Sequence, residues 1–314
     1  MTRLASRARG LETHVLDAGA LAELERAPDR AALAAVMTRT GLACDVSTAA
    51  IDRAARDRAA ADFRQLERWL ASRRDHATFE LLVLDEDRRS LRAIVRGIAG
   101  AIEPERRRAA CVPTPWLRDR VLGELAAAAT LGELHAALVE LGHPLAPALA
   151  GDHPDPLVHE QALFAAVLDR AKAGPADRAL ARYLSQLVDG ELVAAALLLA
   201  SRGGGLDPAA SFVAGGTLDR ARFLAAAAGP IQRARELLAA HFARTPLAAA
   251  LEASTGAPAA IEQALLDWQL ATQARLRRDD PHGTAAVIHL VLERRVESRT
   301  LRRAAWRIAF GDRA

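Results

Sequence analysis

Apolar residues recur every three or four positions along most of this chain, the period of a helix with one buried face. From Ser47 onward, Ile51, Ala55, Ala59, Phe63, Leu66 and Leu70 fall on one side, and Ser47 stands where a side-chain oxygen caps a first turn. Ahead of it, segment 3–37 reads as two helices joined near Ala27-Pro28-Asp29, with Leu11, Val15, Leu21, Leu24, Leu33 and Val36 as their apolar faces. A further helix is expected from about Thr78 to Gly97. Glu103 to Pro115 then interrupts the pattern with three prolines.

The same order returns twice. Trp116 to Leu141 reads as a hairpin-like pair (Val121, Leu122, Leu125; Leu131, Leu134, Leu138), and HPLAPALAGDHPDP as a flexible polar linker. A middle helix over 157–173 and a closing helix over 177–201 follow, the latter stopped by Gly203-Gly204-Gly205. GGTLDRARFLAAAAGPIQRARELLAAHF, then 258–278, then 284–310 repeat the order. Asp87, Asp189 and Glu297 mark one position in the three closing helices, 102 and 108 residues apart. Four residues on stand Leu91, Val193 and Leu301; eight on, Val95, Leu197 and Ala305; eleven on, Ile98, Ala200 and Ile308; five before, Leu82, Leu184 and Leu292. Those offsets hold the apolar residues on one helical face. After each of the first two acids a Pro/Gly break leads into a new helix, PTPWL ending at Leu117 and GGTL at Leu218. The pattern predicts an all-α chain of three similar helical lobes, 1–111, 112–213 and 214–314, in one continuous architecture with pseudo-threefold packing.

Composition agrees with helix. Half of the 314 residues are hydrophobic, only 4% are aromatic, and alanine and leucine supply the core. The net charge is +3, and 41 of the 42 basic residues are arginines, Lys172 being the exception. The basic runs, Arg106 to Arg108 and Arg275, Arg277, Arg278, are short and flanked by acids, which argues against a nucleic-acid surface. Cys44 and Cys111 lack a CxxC partner and read as free buried thiols of a reducing cytoplasm. MTRLASRARG has no apolar core, so no secretory signal is expected. The longest apolar run, Leu192 to Ala200, would span about 14 Å as a helix against roughly 30 Å of hydrocarbon, so no membrane crossing is expected.

Little in the chain calls for chemistry. SRGGGLDP follows a helix and has no Lys-Ser/Thr after it, so it reads as a helix stop and not a phosphate loop. His143, His153 and His159, with Asp152 and Asp155, lack the spacing of metal ligands. Ser185, Ser201 and Ser211 have no nucleophile-elbow setting. Asp87, Asp189 and Glu297 read as structural acids that balance local arginine or hold a turn. Trp69, Trp116, Trp268 and Trp306 read as core. No catalytic residue, cofactor or metal site is expected.

These features together resemble a family. An Arg-rich opening helix (LASRARGLETHVL), counterparts of an acid-x-x-Asn-aliphatic phrase in closing helices (DRRSLRAIVRG, DGELVAAALLL, ESRTLRRAAWR) and a Pro/Gly-Gly-x-Leu break (VPTPWL, AGGTL) are similar to the C subunit of bacterial and archaeal A/V-type rotary ATPases, related to the eukaryotic V-ATPase d subunit. The asparagine of the family's phrase is Ser90, Leu192 and Thr300 here, and only the first copy keeps Arg96-Gly97. The resemblance implies a funnel-like assembly of three lobes. It would be a non-catalytic central-stalk subunit, peripheral on the cytoplasmic face of the membrane. Its partners would be the central-shaft subunits and the proteolipid ring during ATP-linked proton or sodium transport, with no small-molecule substrate. Arg92, Arg96, Arg299, Arg302 and Arg303 are the expected interface residues, since arginine is enriched at interfaces. Two rivals remain at this stage: a generic helical-repeat scaffold for other proteins, and an all-α enzyme that brings at least two of Asp87, Asp189 and Glu297 together in a pocket.

Overall fold

The computed structural model describes residues 2–42, 45–151, 153–172, 177–203, 207–253 and 258–311. Among them are fifteen α-helices, two short 3-10 helices and no strand. Cys44, Asp152, Gly204 and Gly205 lie outside the described residues. The chain forms two compact bodies, Met1–Pro175 with Glu293–Ala314, and Ala176–Leu292.

The first body begins with α1 (Thr2–Glu12), α2 (Ala18–Arg26) and α3 (Arg30–Arg39). Segment 3–37 thus holds three helices where two were expected, because Asp17 caps an additional start through Ala20 N, as Asp29 caps α3 through Ala32 N. Ser47 caps α4 (Thr48–Arg68) as expected. The next helix, α5, runs Arg73–Ala99 and starts five residues earlier than the apolar pattern alone indicates. Ser72 and Asp75 form a reciprocal capping box there. Inside the expected break lies a short helix, α6 (Pro104–Ala109), with proline in its first turn. The helices α7 (Asp119–Ala127) and α8 (Leu131–Glu140) and the middle helix α9 (Pro156–Lys172) follow, α9 packing along α5.

The stretch read as a flexible polar linker is corrected. Ala146–Leu149 is a 3-10 helix, and Leu145, Ala146 and Leu149 are buried in the core that α5, α7, α8 and α9 share. Three apolar residues within five positions there carry the burial that the surrounding Pro, His and Asp obscure.

In the second body, α10 (Arg178–Arg202) packs against α11 (Arg220–Ala227), α12 (Ile231–His241) and α14 (Pro258–Asp279), with α13 (Pro246–Glu252) between the last two in sequence. Gln186, fully buried on α10, donates to Thr272 Oγ1 of α14 at 3.0 Å. Gly190 of α10 lets Leu265 approach so closely that a Cβ would stand 2.3 Å from its Cδ2. The last helix, α15 (Ala285–Phe310), has its first turns in the second body and the rest in the first. There Leu301, Ala304 and Ala305 join Leu24, Leu33, Met37, Ile51 and Ala55 in one apolar cluster.

Among the described residues α10 is the one helix long and apolar enough to cross a membrane, and half of its apolar window is buried inside the protein. Its middle carries Gln186 and Asp189, both buried and both hydrogen-bonded within the second body.

Candidate functional site

The three acids singled out by the repeat pattern are all buried, at 0, 0 and 1% exposure. Each grips a leading loop that precedes a short helix. Asp189 is the simplest case. Its Oδ1 accepts from Thr217 N (2.6 Å) and Leu218 N (3.0 Å), and its Oδ2 accepts from Thr217 Oγ1 (2.9 Å). Thr217 Oγ1 also lies 3.2 Å from His241 Nε2. Gly216 is required beside it, since a Cβ there would stand 2.3 Å from Asp189 Oδ1.

Asp87 works through a relay. Thr114 Oγ1 donates to Asp87 Oδ1 (2.6 Å) and accepts from Leu117 N (2.9 Å). Leu145 N donates to His143 Nδ1 (3.2 Å), which leaves His143 Nε2 as the donor to Asp87 Oδ2 (3.1 Å). Desolvation raises the Asp87 carboxyl above its usual range, against the lowering pull of His143 and Thr114.

Glu297 of α15 closes on the beginning of the chain. Its Oε2 accepts from Leu16 N at 2.9 Å, across 281 residues, and its Oε1 accepts from Arg58 Nε (2.8 Å) and Arg294 Nη1 (2.7 Å). Arg58 also donates to His14 O, so it ties the same loop twice. Leu16, Leu117 and Leu218 are therefore the gripped residues, each buried and each just before the first residue of the N-cap of α2, α7 or α11. They are 101 residues apart in each step.

In the Asp-Thr-His set of the first body, the hydroxyl donates and accepts internally, and both imidazole nitrogens are engaged. Asp87 and Glu297, both in the first body, share no bonding partner among those found.

The expected interface arginines have internal partners. Arg92 and Arg96 converge on buried Glu160, Arg96 through two bonds of 2.5 and 2.8 Å. Arg302 pairs with Asp52 (2.9 Å) and donates to Ala109 O. Arg303 makes a long, exposed pair with Glu25 at 3.6 Å, and Arg299 is half-buried on the same helix. The charged pattern of α5 hid more: Asp85, Glu86 and Arg88 are buried, and Arg295 bonds both Asp85 and Glu86. The four tryptophans are not all core. Trp268 is buried, but Trp116 and Trp306 are each 42% exposed, because the apolar neighbours of each in sequence lie on other faces of its segment.

Thr114, Thr217, His241 and Leu16 escaped the sequence reading, and His143 entered it only as a metal-ligand candidate that was set aside. The signal was present in part: the hydroxyl residues lie inside the quoted breaks PTPWL and GGTL, and Val15-Leu16-Asp17 matches Thr217-Leu218-Asp219 at two of three positions.

A family profile described as ATP synthase (C/AC39) subunit matches residues 4–314. The chain belongs to that family. No individually curated protein matches it. The subunit is thus a part of an ATP synthase, a membrane-associated complex, and its all-helical fold and buried, internally satisfied acids fit a structural component.

Proposed function

We propose that this subunit is the non-catalytic adaptor of a V/A-type rotary ATPase, joining the central shaft to the membrane proteolipid ring and turning with both. The observation that carries the reading is the family match along residues 4–314. The clasps support it: a part that passes torque needs loops tied to helices more than it needs a reactive group. Three clasps at a common spacing also support a duplicated unit arranged as three lobes about an axis, with Glu297 gripping Leu16 as Asp189 grips Leu218. The adaptor sits peripherally on the cytoplasmic side, with α10 acting as a core helix. Of the arginines expected at interfaces, Arg96 and Arg303 have exposed side chains, which supports their meeting partners.

Gentle detergent extraction of native membranes tests the role. The subunit is expected to co-purify with shaft and ring subunits, and its loss is expected to uncouple ATP hydrolysis from ion movement. A subunit that never travels with other ATPase subunits overturns the proposal.

A further inference from the structure

The C-terminal turns of α15 have two unlike faces. Leu301, Ala304 and Ala305 are buried against α2, α3 and α4. Opposite them run Arg299, Arg303, Trp306 and Phe310, at spacings of four, three and four residues. Trp306 and Phe310 are 42 and 59% exposed, and their rings stack on one another with centroids 4.9 Å apart. Two large exposed rings stacked on one another are unusual in a chain with so few aromatics.

Charge singles out the occupant. Arg299 to Phe310 contains four arginines and no acid. Arg302 is neutralised by Asp52, but Arg307 is held by a carbonyl, Ala27 O, with no carboxylate partner among the described residues, and the Arg303 pair with Glu25 is long and exposed. A 4-3-4 stripe is the seam by which one helix packs along another. We infer that this stripe docks an amphipathic helix of another chain, with apolar seam residues over Trp306 and Phe310 and flanking acids toward Arg303 and Arg307. The identity of that chain rests on the coupling role proposed above, in which the shaft is one of the two partners. A lipid surface is the weaker match, because the buried opposite face leaves two side chains to insert, too little for stable membrane anchoring.

The full-length protein, titrated with a fluorescent heptad peptide bearing leucine at the seam and glutamate beside it, is expected to bind saturably. Trp306→Ala/Phe310→Ala is expected to weaken that binding at least tenfold, and Arg303→Glu likewise, with helical circular dichroism and melting midpoint unchanged. Equal affinity in the variants overturns the inference. So does sedimentation with phosphatidylserine vesicles that the double variant abolishes. In native membranes, a photo-cross-linker at Trp306 (Trp306→p-benzoylphenylalanine) is expected to capture a helix of the shaft. Assembly of the complex with capture only of the ring, or of nothing, overturns the stripe and leaves the coupling role standing. If the wild-type subunit fails to co-purify, the coupling role falls and the peptide titration alone decides the stripe.

Discussion

Asp189→Ala removes one clasp and nothing else of comparable size. Two backbone N–H groups, of Thr217 and Leu218, lose their acceptor, while the Thr217 hydroxyl keeps His241. A buried donor left unpaired costs about 1–3 kcal/mol. Leu218 is 2% exposed and takes the full cost, Thr217 is part-buried and takes less, and removing the carboxylate returns its own burial cost. The net loss is about 3 kcal/mol. In a body of the size of Ala176–Leu292 that lowers the melting midpoint by roughly 10 °C. Asp189→Asn keeps one oxygen for both N–H groups and turns its amide toward the hydroxyl, so it loses only charge assistance, about 1 kcal/mol. Thermal unfolding of the full-length chain, followed by far-ultraviolet circular dichroism, separates the two. An alanine variant that melts within a degree or two of wild type refutes the clasp, as does an asparagine variant that is equally damaged. A catalytic carboxylate would behave the opposite way, with stability held or raised by its removal.

Gly216→Ala is expected to spring the same clasp from the other side, lowering the midpoint by several degrees. Its effect should be strongly sub-additive with Asp189→Ala in a double-mutant cycle, because the carboxylate oxygen occupies the place of the new Cβ. Burial pushes the Cys111 thiol up to about 12 from its usual 9.0, so in a Cys44→Ser background it should resist a thiol reagent at mildly alkaline pH until denaturant is added. Asp87 is raised by desolvation, so the folded chain binds that proton more tightly than the unfolded chain. Stability from this group therefore grows as pH falls from neutrality toward the ordinary value of 3.8, and the wild-type midpoint should rise relative to Asp87→Asn over that range. Glu297→Ala is expected to destabilise the first body by more than 3 kcal/mol, because it leaves Arg58 and Arg294 facing a vacated site as well as orphaning Leu16 N; equilibrium denaturation in urea reads the loss.

Helix was legible from periodicity wherever an apolar stripe ran long, and α9, α10, α14 and α15 lie within two residues of the expected bounds at both ends. Short helices were not: α6 and α13 have six and seven residues, too few turns to show a period. The acids were found because they interrupt an apolar register at a constant offset, and turn-holding was one of the roles that their placement allowed. Their partners were invisible for a physical reason. Backbone N–H groups carry no side-chain signature, and Leu16 lies 281 residues from the carboxylate it meets. The buried Asp85, Glu86 and Arg88 give no apolar signal in the sequence, and the arrival of Arg295 from a distant helix helps to make their burial tolerable.

The bond from Leu16 to Glu297 also sets an order of events during synthesis. The loop ahead of α2 leaves the ribosome 281 residues before the carboxylate that anchors it. Until then the opening helices can form and pair, but their loop and the underside of α2 and α3 stay open to water. The nascent chain therefore completes its second body before its first, and a truncation that removes the final helix should strand the amino-terminal helices, although none of their own residues has been touched.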